Sequence, residues 1–91
     1  MLPICYLKSQ RRLQIPNFVK SILNLDVTKP LFLLSEDDYI VCSQSLINED
    51  KIIGVVTLED RFRFIFPSDL ATANTGFYYF VKNGKLYLKK V

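Results

Sequence analysis

Two short stretches alternate apolar and polar residues immediately before a proline: Leu13 and Ile15 before Pro16, Phe64 and Phe66 before Pro67. Period-two alternation puts each apolar pair on one face of a strand. Proline lacks an amide donor and holds the residue before it extended, yet it suits the first turn of a helix. Each strand therefore ends at its proline and hands over to a helix. The first handover predicts a helix over "NFVKSILNL" (17–25), with Phe18, Ile22 and Leu25 on one face and Val19 beside them. Asp26 and Pro30 close it. "LPICYLK" reads as a strand ahead of "RLQI", "PLFLLS" as a strand after the helix, "EDD" as a tight turn, and "YIVCS" as the returning strand.

The same order recurs downstream: "KIIGVVTL", "FRFIF", Pro67, a shorter helical "SDLATA", "FYYFVK", Asn83-Gly84 and "KLYLKK". Asn-Gly between apolar runs is a strong hairpin signal because both residues accept positive φ. "ICYLKSQRRLQIP" (4–16) and "VVTLEDRFRFIFP" (55–67) align without a gap. Leu7 meets Leu58, Arg12 meets Arg63, Leu13 meets Phe64, and Pro16 meets Pro67. The chain reads as one compact domain, 1–91, containing two copies of a βαββ unit. These occupy 1–43 and 51–91, joined by a polar connection at 44–50.

Composition narrows the chemistry. The chain has 91 residues, 49% hydrophobic and 23% charged, which suits a small globular fold rather than disorder. It contains no His, and its two cysteines, Cys5 and Cys42, lie 37 residues apart in strand-like runs. An ordinary zinc site and a His-based triad are excluded, no cofactor is implied, and the chain is not expected to be an enzyme. The cysteines read as small buried hydrophobes, with a lone disulfide as the alternative. No apolar run reaches the roughly 18–20 residues of a membrane span, and "MLPICYLK" lacks a basic region ahead of its apolar run. No membrane association is expected, and a cytoplasmic setting is the default. The net charge of +3 divides unevenly: residues 1–30 balance at +4, residues 31–60 at −6, and residues 61–91 at +5. Two basic blocks flank an acidic middle, a pattern open to a polyanionic partner.

"RRLQIPNFVKSILNLDVTKPLFLLSEDDYIVCS" resembles the AbrB/SpoVT/MazE family of swapped-hairpin DNA-binding domains. That family's pattern runs Gly-Arg, two apolar positions, Ile-Pro, a short basic helix and a hairpin with an acidic turn. The resemblance spans Arg11 to Ser43 without a gap, and 61–91 carries a weaker version. Two copies in one chain resemble the MraZ-type tandem arrangement. The implied fold is mainly β with short helices, with tandem βαββ swapped-hairpin units forming a pseudo-two-fold, double-psi-like β-barrel. Whether one chain closes alone or two swap strands stays open.

The implied function is transcriptional regulation through duplex DNA. Arg12 and Arg63 match the family's Gly-Arg arginine, and Lys20 matches a basic helix position. Lys8, Arg11 and Arg61 are basic residues of the same loops. The chain departs from the family in three places: Arg11 and Phe62 stand where the glycine would, and "SDLATA" has no basic residue. If the loop needs positive φ, those two residues strain it. Each basic feature also has a plainer reading as a solvated loop. "RFRFIF" could stack on bases, but its alternation suits a core better. "EDD" could hold a cation, yet it suits a hairpin turn. Lys89 and Lys90 could meet phosphate or merely be solvated. Two rivals to a regulator remain. One is an antitoxin-like protein, although "KLYLKKV" carries none of the flexible acidic tail that family antitoxins usually add. The other is a protein-interaction module that mimics half of a related dimer, which leaves a homodimer or a protein partner open.

Overall fold

The computed structural model describes residues 2–45 and 49–91, leaving the side chain of Glu49 aside; Leu46, Ile47 and Asn48 of the expected connection lie outside the described residues. The strands are β1 (Ile4–Tyr6), β2 (Arg12–Gln14), β3 (Pro30–Glu36), β4 (Tyr39–Ser43), β5 (Ile52–Thr57), β6 (Arg63–Ile65), β7 (Gly76–Lys82) and β8 (Lys85–Lys90). One α-helix, α1 (Asn17–Leu23), is present among the described residues, with short 3-10 turns at Ser9–Arg11 and Glu49–Lys51. The fold is mainly β and antiparallel.

Six strands form a sheet in the order β1-β7-β8-β4-β3-β5, while β2 and β6 form a separate two-stranded ribbon. Exchanging each strand with its counterpart in the other copy reverses the six-strand order. The copies interleave: β1 of the first pairs with β7 of the second, and β5 of the second pairs with β3 of the first. β4 and β8 meet at the centre, as do β2 and β6. This arrangement is what an approximate two-fold relation within one chain requires. Hydrogen bonding leaves β1 and β5 as sheet edges, so the sheet is not closed into a barrel.

The ribbon lies over one face of the sheet because its inward residues are large and apolar. Leu13 and Phe64 are directly opposite in register and fully buried, and Ile15 and Phe66 extend the same face. Phe66 stacks on Phe77 of β7 with ring centroids 5.2 Å apart, joining ribbon to sheet. Leu31, Leu33, Cys42, Leu86 and Leu88 complete this core from the sheet side. Alternate residues of the same strands build a smaller cluster on the opposite face, where Phe80 stacks on Tyr87 at 4.9 Å and Tyr39 meets both rings edge-on. "FYYF" thus buries Phe77 and Tyr79 on one face of the sheet and half-buries Tyr78 and Phe80 on the other.

Both hairpin turns occur as two-residue loops. Asn83 and Gly84 both have positive φ (52° and 73°), and Asp37 has φ 53°. The polar Asp37-Asp38 pair therefore makes a turn between β3 and β4.

Three expectations are corrected. Val19, rather than Phe18 and Ile22, is the buried residue of α1. The seven-residue helix stops at Asn24, which takes the left-handed conformation and donates its N–H to the Lys20 carbonyl. The second copy has no helix: residues 68–70 form turns, and only the Leu70 N–H to Pro67 carbonyl bond survives of an opening helical turn. So few residues before the Thr72–Thr75 turn cannot offset the cost of nucleating a helix.

Candidate nucleic-acid interface

The 51-residue step from Arg12 to Arg63 is repeated bond for bond in the loops beside the ribbon. Lys8 N–H donates to the Arg12 carbonyl at 2.9 Å, and Glu59 N–H donates to the Arg63 carbonyl at 2.7 Å. Arg11 N–H reaches the Lys8 carbonyl and Phe62 N–H the Glu59 carbonyl, both at 3.1 Å. Ile15 N–H bonds the Phe62 carbonyl, and Phe66 N–H bonds the Arg11 carbonyl. Each loop is thereby tied to the opposite copy's strand.

These bonds require a tight reversal, and both loops achieve it with two consecutive left-handed residues. Gln10 and Arg11 have φ 63° and 58°; Arg61 and Phe62 have φ 64° and 55°. The glycine position of the resembled family is thus a positive-φ position here, occupied by residues with side chains. Left-handed backbone costs about 1–2 kcal/mol for each residue with a Cβ. Two side chains brace the strained positions. Arg11 Nε donates to the Phe66 carbonyl at 3.0 Å, and Phe62 packs against the core.

The six basic residues expected at the site all belong to or adjoin this loop-and-ribbon unit, but their surroundings differ. Leu13 and Phe64 point inward, so Arg12, Gln14 and Arg63 face outward from the ribbon. Arg12 makes a two-pronged ion pair with Glu59: Nε to Oε1 at 2.7 Å and Nη2 to Oε2 at 3.1 Å. Its Nη1 also donates to Gln10 Oε1. Hydrogen bonding to Arg12 holds the Glu59 carboxyl below its ordinary pKa, and bonding to Glu59 raises that of Arg12.

Arg63 instead donates one Nε bond to the Asp60 carbonyl at 3.3 Å. Lys20 Nζ sits 5.0 Å from the Phe62 ring centroid, a cation–π contact. Lys20 and Arg61 line one cleft of about 440 Å3 with Gln14, Ile15, Pro16 and Asn17. The Gln14 amide donates to the Arg61 and Ile15 carbonyls, fixing one wall of that cleft. Lys8 and Arg61 are exposed, and neither side chain has a hydrogen bond among the described residues.

Glu59, Gln14 and Phe62 were not among the expected site residues. Glu59 was nonetheless legible, because the same 51-residue step sets it against Lys8 with opposite charge. No group of His, Cys, Asp or Glu suited to a metal ion occurs among the described residues. No described helix is long and apolar enough to cross a membrane. Cys5 and Cys42 are both free thiols. Burial raises the Cys5 pKa to about 11 and raises that of Cys42 further.

No family model, curated protein or solved structure matches this chain.

Proposed function

We propose that the chain is a duplex-DNA-binding transcriptional regulator built from tandem swapped-hairpin units of the AbrB/SpoVT/MazE type. The observation that carries this reading is the ribbon with its paired loops, which collects Lys8, Arg11, Arg12, Lys20, Arg61 and Arg63 around a local two-fold. Duplex DNA offers phosphates along two antiparallel strands, so a two-fold ribbon can address both at once. Lysine and arginine supply the charge, while the arginine fork suits phosphate oxygens and guanine edges. A cytoplasmic setting, with no cofactor and no membrane, goes with this reading.

The test is binding of a labelled duplex from the region upstream of the chain's own coding sequence, followed across several salt concentrations. Affinity should fall linearly on a double-logarithmic plot, by about 0.9 per phosphate engaged. It should also exceed that for a scrambled duplex. Loss of salt dependence, or equal affinity for both duplexes, refutes a sequence-reading regulator.

The protein-interaction reading has one specific support. Phe18 and Ile22 lie four residues apart on α1 and are 52% and 62% exposed, an apolar ridge beside the same site. Under this reading, replacing both with Ser abolishes capture of a protein partner while duplex binding is absent from the start.

A further inference from the structure

The two-fold relation makes the loops comparable residue by residue, and the comparison is uneven in charge. Under the 51-residue step, Arg63 corresponds to Arg12, Arg61 to Gln10, and Lys20 to Ala71. Phe62, beneath Lys20, corresponds to Arg11, whose Nε is already held by the Phe66 carbonyl. Lys8 corresponds to Glu59. The Glu59–Arg12 ion pair of one half thus has Lys8 and Arg63, two cations, as its counterpart.

The bonding of the two equivalent arginines separates them further. Arg12 is engaged through all three of its guanidinium nitrogens, two by Glu59 and one by Gln10. Three of its five N–H donors are thereby used, and its side-on Nε/Nη2 face is occupied by a carboxylate, which leaves less of the fork for a phosphate or a guanine edge. The carboxylate beside it also repels phosphate; that carboxylate acts on Arg63 through charge alone, with no hydrogen bond to it. Arg63 uses only Nε, and both its terminal nitrogens lack partners among the described residues.

We infer that Glu59 renders the two-fold surface electrically one-sided, so that duplex DNA is held mainly through Lys8, Lys20, Arg61 and Arg63. The inference rests on the DNA-binding reading above and deepens it. The favoured target is a single, non-palindromic half-site rather than an inverted repeat. Glu59 is the specificity-determining residue that cancels the second half.

The experiment uses the full chain and a fluorescein-labelled duplex of mixed sequence, read by anisotropy over a salt series. Thermal melting establishes that each variant is folded. Arg63→Ala should weaken binding at least fivefold more than Arg12→Ala. Glu59→Gln should tighten binding about three- to tenfold and steepen the salt slope by about 0.9, as one further cation reaches a phosphate. Adding Arg12→Ala to Glu59→Gln should remove that gain. Asp60→Asn makes the same charge change at a carboxylate that does not hold Arg12, and should produce a smaller gain.

Equal losses from Arg12→Ala and Arg63→Ala overturn the asymmetry, as do equal gains from Glu59→Gln and Asp60→Asn. Either result leaves DNA binding itself standing. Failure of the parent chain to bind any duplex, even at low salt, removes the DNA-binding reading and this inference together.

Discussion

Replacing Phe66 with Ala is the most direct test of how the ribbon is attached to the sheet. The side chain is 0% exposed, stacks on Phe77 at 5.2 Å, and lies 5.3 Å from the Phe64 ring. Truncation removes the middle ring of a row of three. Backbone bonds on both sides, from Phe66 N–H to the Arg11 carbonyl and from Arg11 Nε to the Phe66 carbonyl, hold the strand in place and hinder collapse of the cavity. Buried Phe→Ala changes cost about 3–5 kcal/mol, and poor relaxation favours the upper part of that range. A chain of 91 residues has about 5–14 kcal/mol of total stability, so a loss of about 4 kcal/mol removes roughly a quarter or more of it. At about 4–8 °C per kcal/mol, the melting temperature should fall by 15 °C or more. Urea unfolding followed by circular dichroism measures the loss, with Phe66→Leu as a milder variant that stays folded. The neighbouring Ile65 is 39% exposed, and Ile65→Ala should cost less than about 1 kcal/mol. A Phe66→Ala loss below about 1 kcal/mol, or an equal loss at Ile65, would refute this account of the core.

Arg61→Gly should stabilise the chain by up to about 1 kcal/mol, because it relieves a left-handed residue whose side chain makes no hydrogen bond among the described residues. Gly84→Ala, at φ 73°, should destabilise by about 1 kcal/mol in the same melting assay. The Arg12–Glu59 pair should leave a pH signature. Glu59 has a lowered folded-state pKa, so the pair's contribution is present above the ordinary glutamate value of 4.5 and fades as pH falls through the lower folded value. The melting-temperature gap between the parent and Glu59→Gln should therefore close on going from pH 7 to pH 3; an unchanged gap would exclude the ion pair as its source. With its pKa raised from 9.0 to about 11, the Cys5 thiol holds about a hundredfold less thiolate at neutral pH. Iodoacetamide at pH 7.5 should label neither cysteine rapidly until urea unfolds the chain.

Much of the strand pattern was readable because it depends on neighbouring residues. "YIVCS" and "KLYLKK" coincide with β4 and β8 at both ends, each following a two-residue turn whose chemistry is local. β1 was overextended, since "LPICYLK" forms a strand only over Ile4–Tyr6. Pro3 has no N–H to offer, and Leu7 directs its own to the Thr75 carbonyl. The buried face of α1 was not legible. A seven-residue helix has only two turns, and its orientation follows from where Pro16 leaves the ribbon rather than from its own periodicity. The basic residues of the site were visible as a set, but the capture of Arg12 by Glu59 depends on a cross-copy contact 47 residues apart.

The uneven loops also bear on why two copies in a single chain differ from two identical chains. In a symmetric dimer each residue occurs on both sides of the axis, so one position cannot be Lys on one side and Glu on the other. A Glu there would capture both arginines, whereas a Lys would leave two unpaired cation clusters. The tandem chain escapes that constraint, and the difference extends beyond charge. The first copy keeps a helix with Lys20, whereas the second reduces it to turns and ends that segment at the buried Ala71. The inward face shows no such divergence: Leu13 and Phe64, Ile15 and Phe66, and Leu7 and Leu58 are buried in both copies. Packing constrains both sides of the axis to remain apolar, while the solvent-facing loops are free to diverge. Divergence concentrated in the loops and the helical segment, over a ribbon whose inward face stays apolar, is what a surface specialised on one side would require.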